Sequence, residues 1–467
     1  MSNHSQSELL QQLRTELGSA AVLTGADVSA RQVGIWDERP VQALAIVRPQ
    51  STEQLSGVLR LCHAIGQPVV THGGRTGLVE GCVSGPGDLV VSLECMTRIE
   101  SVDETNRCMT VQAGVPLELA QRAASDAGLM LPLDLGARGS CTIGGNIATN
   151  AGGNRVLRYG MTREMVLGLE AVLADGTVIS SMNKMLKNNA GYDLKQLFIG
   201  TEGTLGIVTR AVLRLHPSCR SESTAFIACD SFAQVQSLLP FLDRELGGHL
   251  SAFECLWRSF YQTAAAGLNA PLADGSSHYV LVESLGPDPA VDNEQFLAVL
   301  SAAAEKGFLS DAVVAKSGKE RDSFWAIRDN VEACLHFGES FVFDVSLPLQ
   351  DMSAYVDQVL EKLDGVLPGH RSFVFGHVGD GNLHFVVSPG AERSRAIVES
   401  AIYQPLQAFG GSVSAEHGIG LEKKFWLCLS RSDAEIRLMQ ALKQALDPDG
   451  LLNPGKVFDM NGEHGLQ

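Results

Sequence analysis

The chain has 467 residues, more than one core accommodates, so two or three domains are expected. It is 45% hydrophobic and 19% charged, a globular composition, and 36 Lys and Arg against 53 Asp and Glu leave a net charge of −17. An acid-rich surface repels phosphate backbones and anionic lipid, which sets nucleic-acid binding aside. No apolar stretch reaches the ~20 residues of a membrane span.

The first segment, "MSNHSQSELLQQLRTELG", reads as a polar helix, with no basic region followed by an apolar one. Up to about Arg214, short strand-like runs alternate with glycine turns: "QPVVTHGG", "GDLVVSLECM", "CMTVQAGV", "MVLGLEAVLADGTVISS" and "GIVTRAVLRL". The "ADGT" inside the fourth signals a hairpin. Helical patterns lie between them, such as "STEQLSGVLRLCHAIG" and "PLELAQRAASDAG", the latter closing on a helix-stop glycine. Pro217 and "SCRSESTA" mark a boundary. From Phe226 to about Gly411, longer helices separated by single strands predict a sheet covered by helices on one face. "DAEIRLMQALKQALDPDGLLNPGKVF" reads as an amphipathic helix with a Pro/Gly stop. The fold class expected is α+β, with domains at 1–218 and 219–411 and a C-terminal segment at 412–467. Ten cysteines stand singly without a C-x-x-C pair, which argues against a cysteine metal site or disulfide framework and fits a cytoplasmic setting.

Three glycine clusters stand out in the first domain: "THGGRTGLVEG", "GARGSCTIGGNIATNAGG" and "GTEGTLGIV". Glycine lets backbone approach a ligand closely, and successive N–H groups can converge on an anion. One such cluster alone reads as an ordinary turn. Three, interleaved with small polar residues, predict a long phosphate-containing cofactor laid across the backbone. None is the G-x-G-x-x-G fingerprint or the P-loop.

The second domain contains "FVFGHVGDGNLHFVV". Asp380-Gly381 is a type I′ hairpin signal, and with those two as the loop His377 faces His384 on one side of a strand pair. "GGSVSAEHGIG" then sets Glu416 and His417 among small residues. Two histidines and a carboxylate make the ligand set of a catalytic metal with open positions.

Together, "HGGRTGLVEG", "PLDLGARGSCTIGGNIATNAGG", "NNAGYDLKQLFIGTEGTLGIVT", "GHVGDGNLH" and "SAEHG" resemble the vanillyl-alcohol-oxidase-type flavoproteins, in particular the D-2-hydroxyglutarate and D-lactate dehydrogenase branch. The likeness runs from about Ile46 to "LLNPGKVF". It implies a two-part FAD-binding domain, a substrate domain and a C-terminal segment that completes the active site. It implies that Gly73, Gly74, Arg75, Thr76, Gly77 and Leu78 hold the FAD pyrophosphate. Pro132, Ser140, Thr142, Gly144, Gly145, Asn146, Thr149, Glu202, Gly203, Ile207 and Asn453 would line the cofactor. His72 lacks the usual spacing for covalent attachment, so the FAD is expected to be non-covalent.

The resemblance further implies that His377, His384 and Glu416 are metal ligands, with His417 as base and Arg328 on the substrate carboxylate. Zinc is the first choice, because the flavin already supplies the redox centre; iron(II) and manganese share the ligand type. Three positions depart from the hydroxyglutarate pattern: Val342 for a lysine, Glu332 for a threonine and Val386 for an asparagine. These changes disfavour a second substrate carboxylate. The expected reaction is oxidation of a lactate-like, aliphatic or aromatic D-2-hydroxy acid to the 2-oxo acid. The alternatives are a D-2-hydroxyglutarate or D-malate dehydrogenase, or a glycolate-oxidase-type subunit. Electrons would leave to a quinone, a cytochrome or an electron-transfer flavoprotein, and a homodimer is the expected assembly.

Overall fold

The computed structural model describes residues 3–390 and 394–460. It divides into two compact units, one of Met1–Gly152, Met161–Ser218 and Glu416–Gln467, the other of Gly153–Gly160 and Cys219–Ala415.

The first unit opens with the expected polar helix, Asn3–Leu17; Met1 and Ser2 lie outside the described residues. The helix Thr52–Ile65 begins where the Ser51 side chain accepts from the Gln54 N–H and ends at Gly66, left-handed at φ +68°. Its Leu55, Val58, Leu59 and Cys62 recur at helical spacing and are buried. A four-stranded sheet has the order Val22–Leu23, Ala45–Val47, Leu89–Ser92, Val69–His72, and the last three run parallel. Leu452 joins it beside Val69 as a parallel bridge. Parallel strands are covered on both faces, which is why "LVV" and "VVTH" read as near-continuous apolar runs. A five-stranded antiparallel sheet follows, in the order Ile99–Asp103, Cys108–Gln112, Ile207–Arg214, Val166–Val172, Val178–Ser181. Its last pair is the predicted "ADGT" hairpin, closed by Leu173 N–H to Thr177 O at 2.9 Å with Gly176 at φ +84°.

Among the described residues the second unit carries a seven-stranded antiparallel sheet. Its order is Asp311–Val314, Ser221–Cys229, His278–Gly286, Leu250–Trp257, Arg371–Gly376, Asn382–Ser388, Phe341–Ser346. Every residue of His278–Gly286 and of Asn382–Ser388 is buried. Both faces are therefore covered, which corrects the expectation of one. On one face Phe226, Leu256, Tyr279, Phe375 and Val386 pack with Phe260, Phe324 and Ile327 of the helices Arg258–Ala265 and Gly318–Arg328. That face carries the polar cluster described next.

Candidate active site

Phe375 lies opposite His384, and Arg371 opposite Ser388. The predicted two-residue turn is not formed, and His377 does not face His384. Val378–Asp380 instead make a 3-10 turn, and the N–H groups of Asp380 and Asn382 donate to the His377 carbonyl at 3.1 and 3.2 Å. A type I′ turn needs two left-handed residues; here Gly381, at φ +94°, is left-handed and Asp380 is not. The register is shifted by two residues. An even shift keeps both imidazoles on one face, and the rings meet edge to face with centroids 5.4 Å apart.

Cys255 opposite Gly376 and Leu256 opposite Phe375 bring Glu254 beside His377, while Asp344 lies opposite His384. Glu254 is 1% exposed. Its Oε1 is 2.7 Å from His377 Nδ1, and its Oε2 accepts from Arg328 Nε at 2.9 Å. Burial pushes the Glu254 carboxyl up, but its interactions with His377 and Arg328 overcome this and hold it at about 2. A carboxylate only accepts, so the Nδ1 of His377 carries the proton and its Nε2 presents a lone pair. Arg328 Nη2 stands 3.0 Å from that Nε2, and its guanidinium carbon lies 5.6 Å from the Phe375 ring centre.

Beyond the edge strand, Ser412 pairs with Ser346, and the Ala415 N–H donates to Asp344 Oδ2 at 2.9 Å. Glu416 is the next residue. One ligand atom from each of His377, His384 and Glu416 lies within 4.8 Å of the others. Two imidazoles and a carboxylate so grouped fit a divalent cation. Val386, opposite both Phe373 and Val342, sits one side-chain row from His384 on the same face and is fully buried. Glu332 is exposed and opens the short helix Glu332–Leu335.

In the first unit the glycine loops converge. A Cβ on Gly73 would come 2.8 Å from Thr142 Oγ1, and one on Gly74 would meet Ser140 O at 2.1 Å, so bare backbone is required where the first two loops touch. Gly77 faces open space. Asn453 ties the first loop to the third: its Oδ1 accepts from Thr71 N–H at 2.9 Å, and its Nδ2 donates to Glu202 O. Gly203, at φ +71°, packs on that amide. Beside this junction Thr71 Oγ1 is buried without a hydrogen-bond partner among the described residues. An open glycine, an orphaned hydroxyl and a backbone cradle fit an extended cofactor.

Other predicted residues have packing roles. Gly144 lies against Ala113, and Ile207 begins a core strand. Thr142 caps the helix Ile143–Thr149 by accepting from Gly145 N–H, and Thr149 Oγ1 donates back to Gly145 O at 3.1 Å. Asn146 and Pro132 are buried, Leu78 is exposed, and Arg75, at φ +56°, donates to Gln32 O. Glu202 accepts from the Ile419 and Gly420 N–H groups at 2.7 and 2.8 Å. Its carboxylate therefore anchors the backbone just past His417. His72 contacts Cys82 O through Nε2 at 2.8 Å, and burial holds its pKa at about 4.

Residues 43–181 match the family described as FAD binding domain, and residues 219–457 match FAD linked oxidases, C-terminal domain. The chain belongs to the FAD-linked oxidases. FAD is thus the cofactor of this FAD-linked oxidase, which is an oxidoreductase. It is 40% identical over 432 residues, 91% of this chain and 90% of the relative, to D-2-hydroxyglutarate dehydrogenase of Xanthomonas citri pv. viticola. The mitochondrial enzymes of that name from Arabidopsis thaliana and Bos taurus are 39% and 38% identical, each over 88% of this chain and over 74% and 76% of their own length. In fold it is similar to p-cresol methylhydroxylase (TM-score 0.77, 16% identity, 99% of each chain). It is equally similar to 4-ethylphenol oxidase of Gulosibacter chungangensis (TM-score 0.76, 17% identity, 98% of each chain). The expected vanillyl-alcohol-oxidase-type architecture is thereby established.

Glu254 and Asp344 escaped the reading of motifs. The signal that could have found them is a single carboxylate inside an otherwise apolar strand, "LSAFECLW" and "FVFDVS", because an acidic residue is rarely buried without a partner.

Proposed function

We propose that this FAD-linked oxidase converts a D-2-hydroxy acid with an aliphatic or aromatic side chain to its 2-oxo acid, with FAD and a divalent metal. The observation that carries the reading is the grouping of His377, His384 and Glu416 beside the Glu254–Arg328 pair. A redox centre, a metal-ligand set and a carboxylate-binding cation together suit the oxidation of a 2-hydroxy acid. Bound FAD, non-covalent and seated on the three glycine loops, supplies the acceptor for the Cα hydride. A cation held by His377, His384 and Glu416 supplies a Lewis acid that favours ionisation of a hydroxyl; zinc suits this best, having no redox chemistry of its own.

The chain's own residues do the rest. Glu254 keeps a proton on His377 Nδ1, so that Nε2 is a ligand lone pair; a cation there would take the place of the Arg328 contact. Arg328, so released, pairs with the substrate carboxylate. His417, next in the chain to the ligand Glu416, removes the hydroxyl proton. Val342, partly buried against the fully buried Val386, gives the side-chain subsite apolar surface, which offers a second carboxylate no partner.

One other reading is favoured by a specific observation, the 38–40% identity to proteins named D-2-hydroxyglutarate dehydrogenase. Reoxidation by a quinone, a cytochrome or an electron-transfer flavoprotein, a homodimer and a cytoplasmic setting complete the proposal. The last is supported by the free state of every cysteine among the described residues. No described helix is long and apolar enough to cross a membrane. Anaerobic mixing with D- and L-lactate, D-2-hydroxyisocaproate, D-phenyllactate and D-2-hydroxyglutarate tests it. Flavin bleaching by the apolar D-acids at higher kcat/KM than by D-2-hydroxyglutarate supports the main reading, and the reverse order supports the second. Bleaching by L-acids alone refutes both.

A further inference from the structure

Lys456, in the C-terminal "NPGKVF", is 3% exposed, and its Nζ is buried with no hydrogen-bond partner among the described residues. Long cationic side chains are seldom buried without an anion, because desolvating an uncompensated ammonium is strongly unfavourable. The buried lysine Lys443 shows the usual solution, bonding to Asp447 and to the carbonyls of Thr204 and Leu452. Lys456 has no such set. The carboxylates that act on it electrostatically, Asp88 and Glu202, are committed to backbone amides: Gly85 for the first, Ile419 and Gly420 for the second. Burial lowers the Lys456 pKa to about 8.

The position of this ammonium is informative. Leu452 runs parallel to Val69, and the Asn453 N–H donates to Val69 O at 2.8 Å, so the segment lies along the strand Val69–His72 as that strand enters the first glycine loop. Ligands of parallel sheets bind at the carboxyl ends of the strands. Lys456 also lies within electrostatic reach of His72 and Cys82, which bracket the loop, and of Glu202 from the third cluster. The segment is held in unusual backbone, with Asn453, Gly455 and Val457 at φ +43°, +71° and +69°. Such values for a β-branched residue persist only where the surroundings impose them. Thr71 Oγ1, buried and unpartnered, belongs to the same neighbourhood.

We infer that Lys456 is the buried cation that meets an anionic part of FAD at the head of the first glycine loop. The inference rests on the proposal that the glycine loops seat the FAD. Two parts of FAD offer the chemistry: the diphosphate, always anionic, and the isoalloxazine ring, anionic once reduced. In either case the ammonium lacks a protein partner because the cofactor provides it.

The test uses Lys456→Met, which keeps the stem and removes the charge, and Lys456→Arg, which keeps the charge. Lys456→Gln replaces the methionine variant if that does not fold. Apoprotein of each is titrated with FAD and with riboflavin, and the FAD midpoint potential is measured in each holoprotein. A diphosphate partner predicts at least tenfold weaker FAD binding in Lys456→Met, unchanged riboflavin binding and recovery in Lys456→Arg. A reduced-ring partner predicts unchanged binding of oxidised FAD and at least tenfold weaker holding of the reduced form, a potential about 30 mV lower for two electrons. A lysine with only a structural role lowers the melting temperature of the apoprotein and leaves both FAD affinity and potential as in wild type, which overturns the inference. Gly77→Val separates the two levels, because a Cβ there faces open space in the loop proposed to seat the FAD. If Gly77→Val loses FAD while Lys456→Met binds and poises it normally, the lysine inference alone is wrong. If Gly77→Val also binds FAD normally, the seating of FAD on the loops is wrong and the inference falls with it.

Discussion

Glu254→Gln is the most informative substitution in the second unit. The carboxylate is 1% exposed and makes two bonds, to His377 Nδ1 at 2.7 Å and from Arg328 Nε at 2.9 Å. Hydrogen bonds to a charged group contribute about 1.5–3 kcal/mol each. A glutamine can keep one through its carbonyl, but its NH2 then confronts a second donor, and Arg328 loses its buried carboxylate, keeping the half-exposed Asp329 at 3.3 Å. Breaking a buried pair in this way costs about 3–5 kcal/mol. Urea unfolding followed by tryptophan fluorescence should register that loss. The same change frees the imidazole to adopt the other tautomer, and loss of such an orienting partner lowers metal affinity about 10–100-fold. Competition against a chromogenic chelator, with equal amounts of folded wild type and variant, measures it. A variant that keeps both its metal affinity and its stability within about 1 kcal/mol of wild type would refute the assignment of Glu254 as the residue that orients His377.

His417→Ala should retain FAD and metal yet reduce its flavin at least 10²-fold more slowly on anaerobic mixing with a D-2-hydroxy acid, the usual range for a lost general base. Val386→Asn buries an amide among Phe373, Val342 and Phe375; it should lower stability by about 1–3 kcal/mol and kcat/KM for aliphatic acids about tenfold. Stability should also fall in acid through identifiable groups. Burial holds His72 and His278 at about 4, below their ordinary 6.5, so the unfolded chain takes up these protons first and stability declines as pH drops from 6.5 to 4. Glu254, held at about 2, adds a loss as pH falls below its ordinary 4.5. Each group contributes a slope of up to about 1.4 kcal/mol per pH unit; His278→Gln should flatten the curve between pH 6.5 and 4 in urea titrations, and an unchanged slope would remove His278 from the account.

What was legible in the amino-acid order was what rests on local chemistry. Glycine-rich loops with small polar residues announced a cofactor, because few other uses need bare backbone in three places. The pairing of His377 with His384 on one face was legible because side chains alternate across a strand, and it survived a shift of two residues. The turn itself was misread. Asp380-Gly381 carries a type I′ preference, but Asn382 and Leu383 close directly on Gly376, and the chain makes a 3-10 turn instead. Glu254 and Asp344 were hidden because their partners, His377 and Arg328 for one and the Ala415 N–H for the other, are 123, 74 and 71 residues away. Lys456 was hidden for a similar reason. In sequence it belongs to a helix-stop motif, and only the pairing of Leu452 with Val69 brings it to the glycine loop.

Metal removal distinguishes a metal-assisted oxidation from one that the flavin and His417 carry out alone. Wild-type enzyme is dialysed against a chelator, shown to retain its FAD, and mixed anaerobically with D-lactate or D-2-hydroxyisocaproate before and after one equivalent of zinc is restored. Flavin reduction should fall at least 10²-fold on stripping and return with the metal, and His384→Ala should hold less than a tenth of the zinc. Flavin reduction at the wild-type rate in metal-free enzyme would contradict the metal's role.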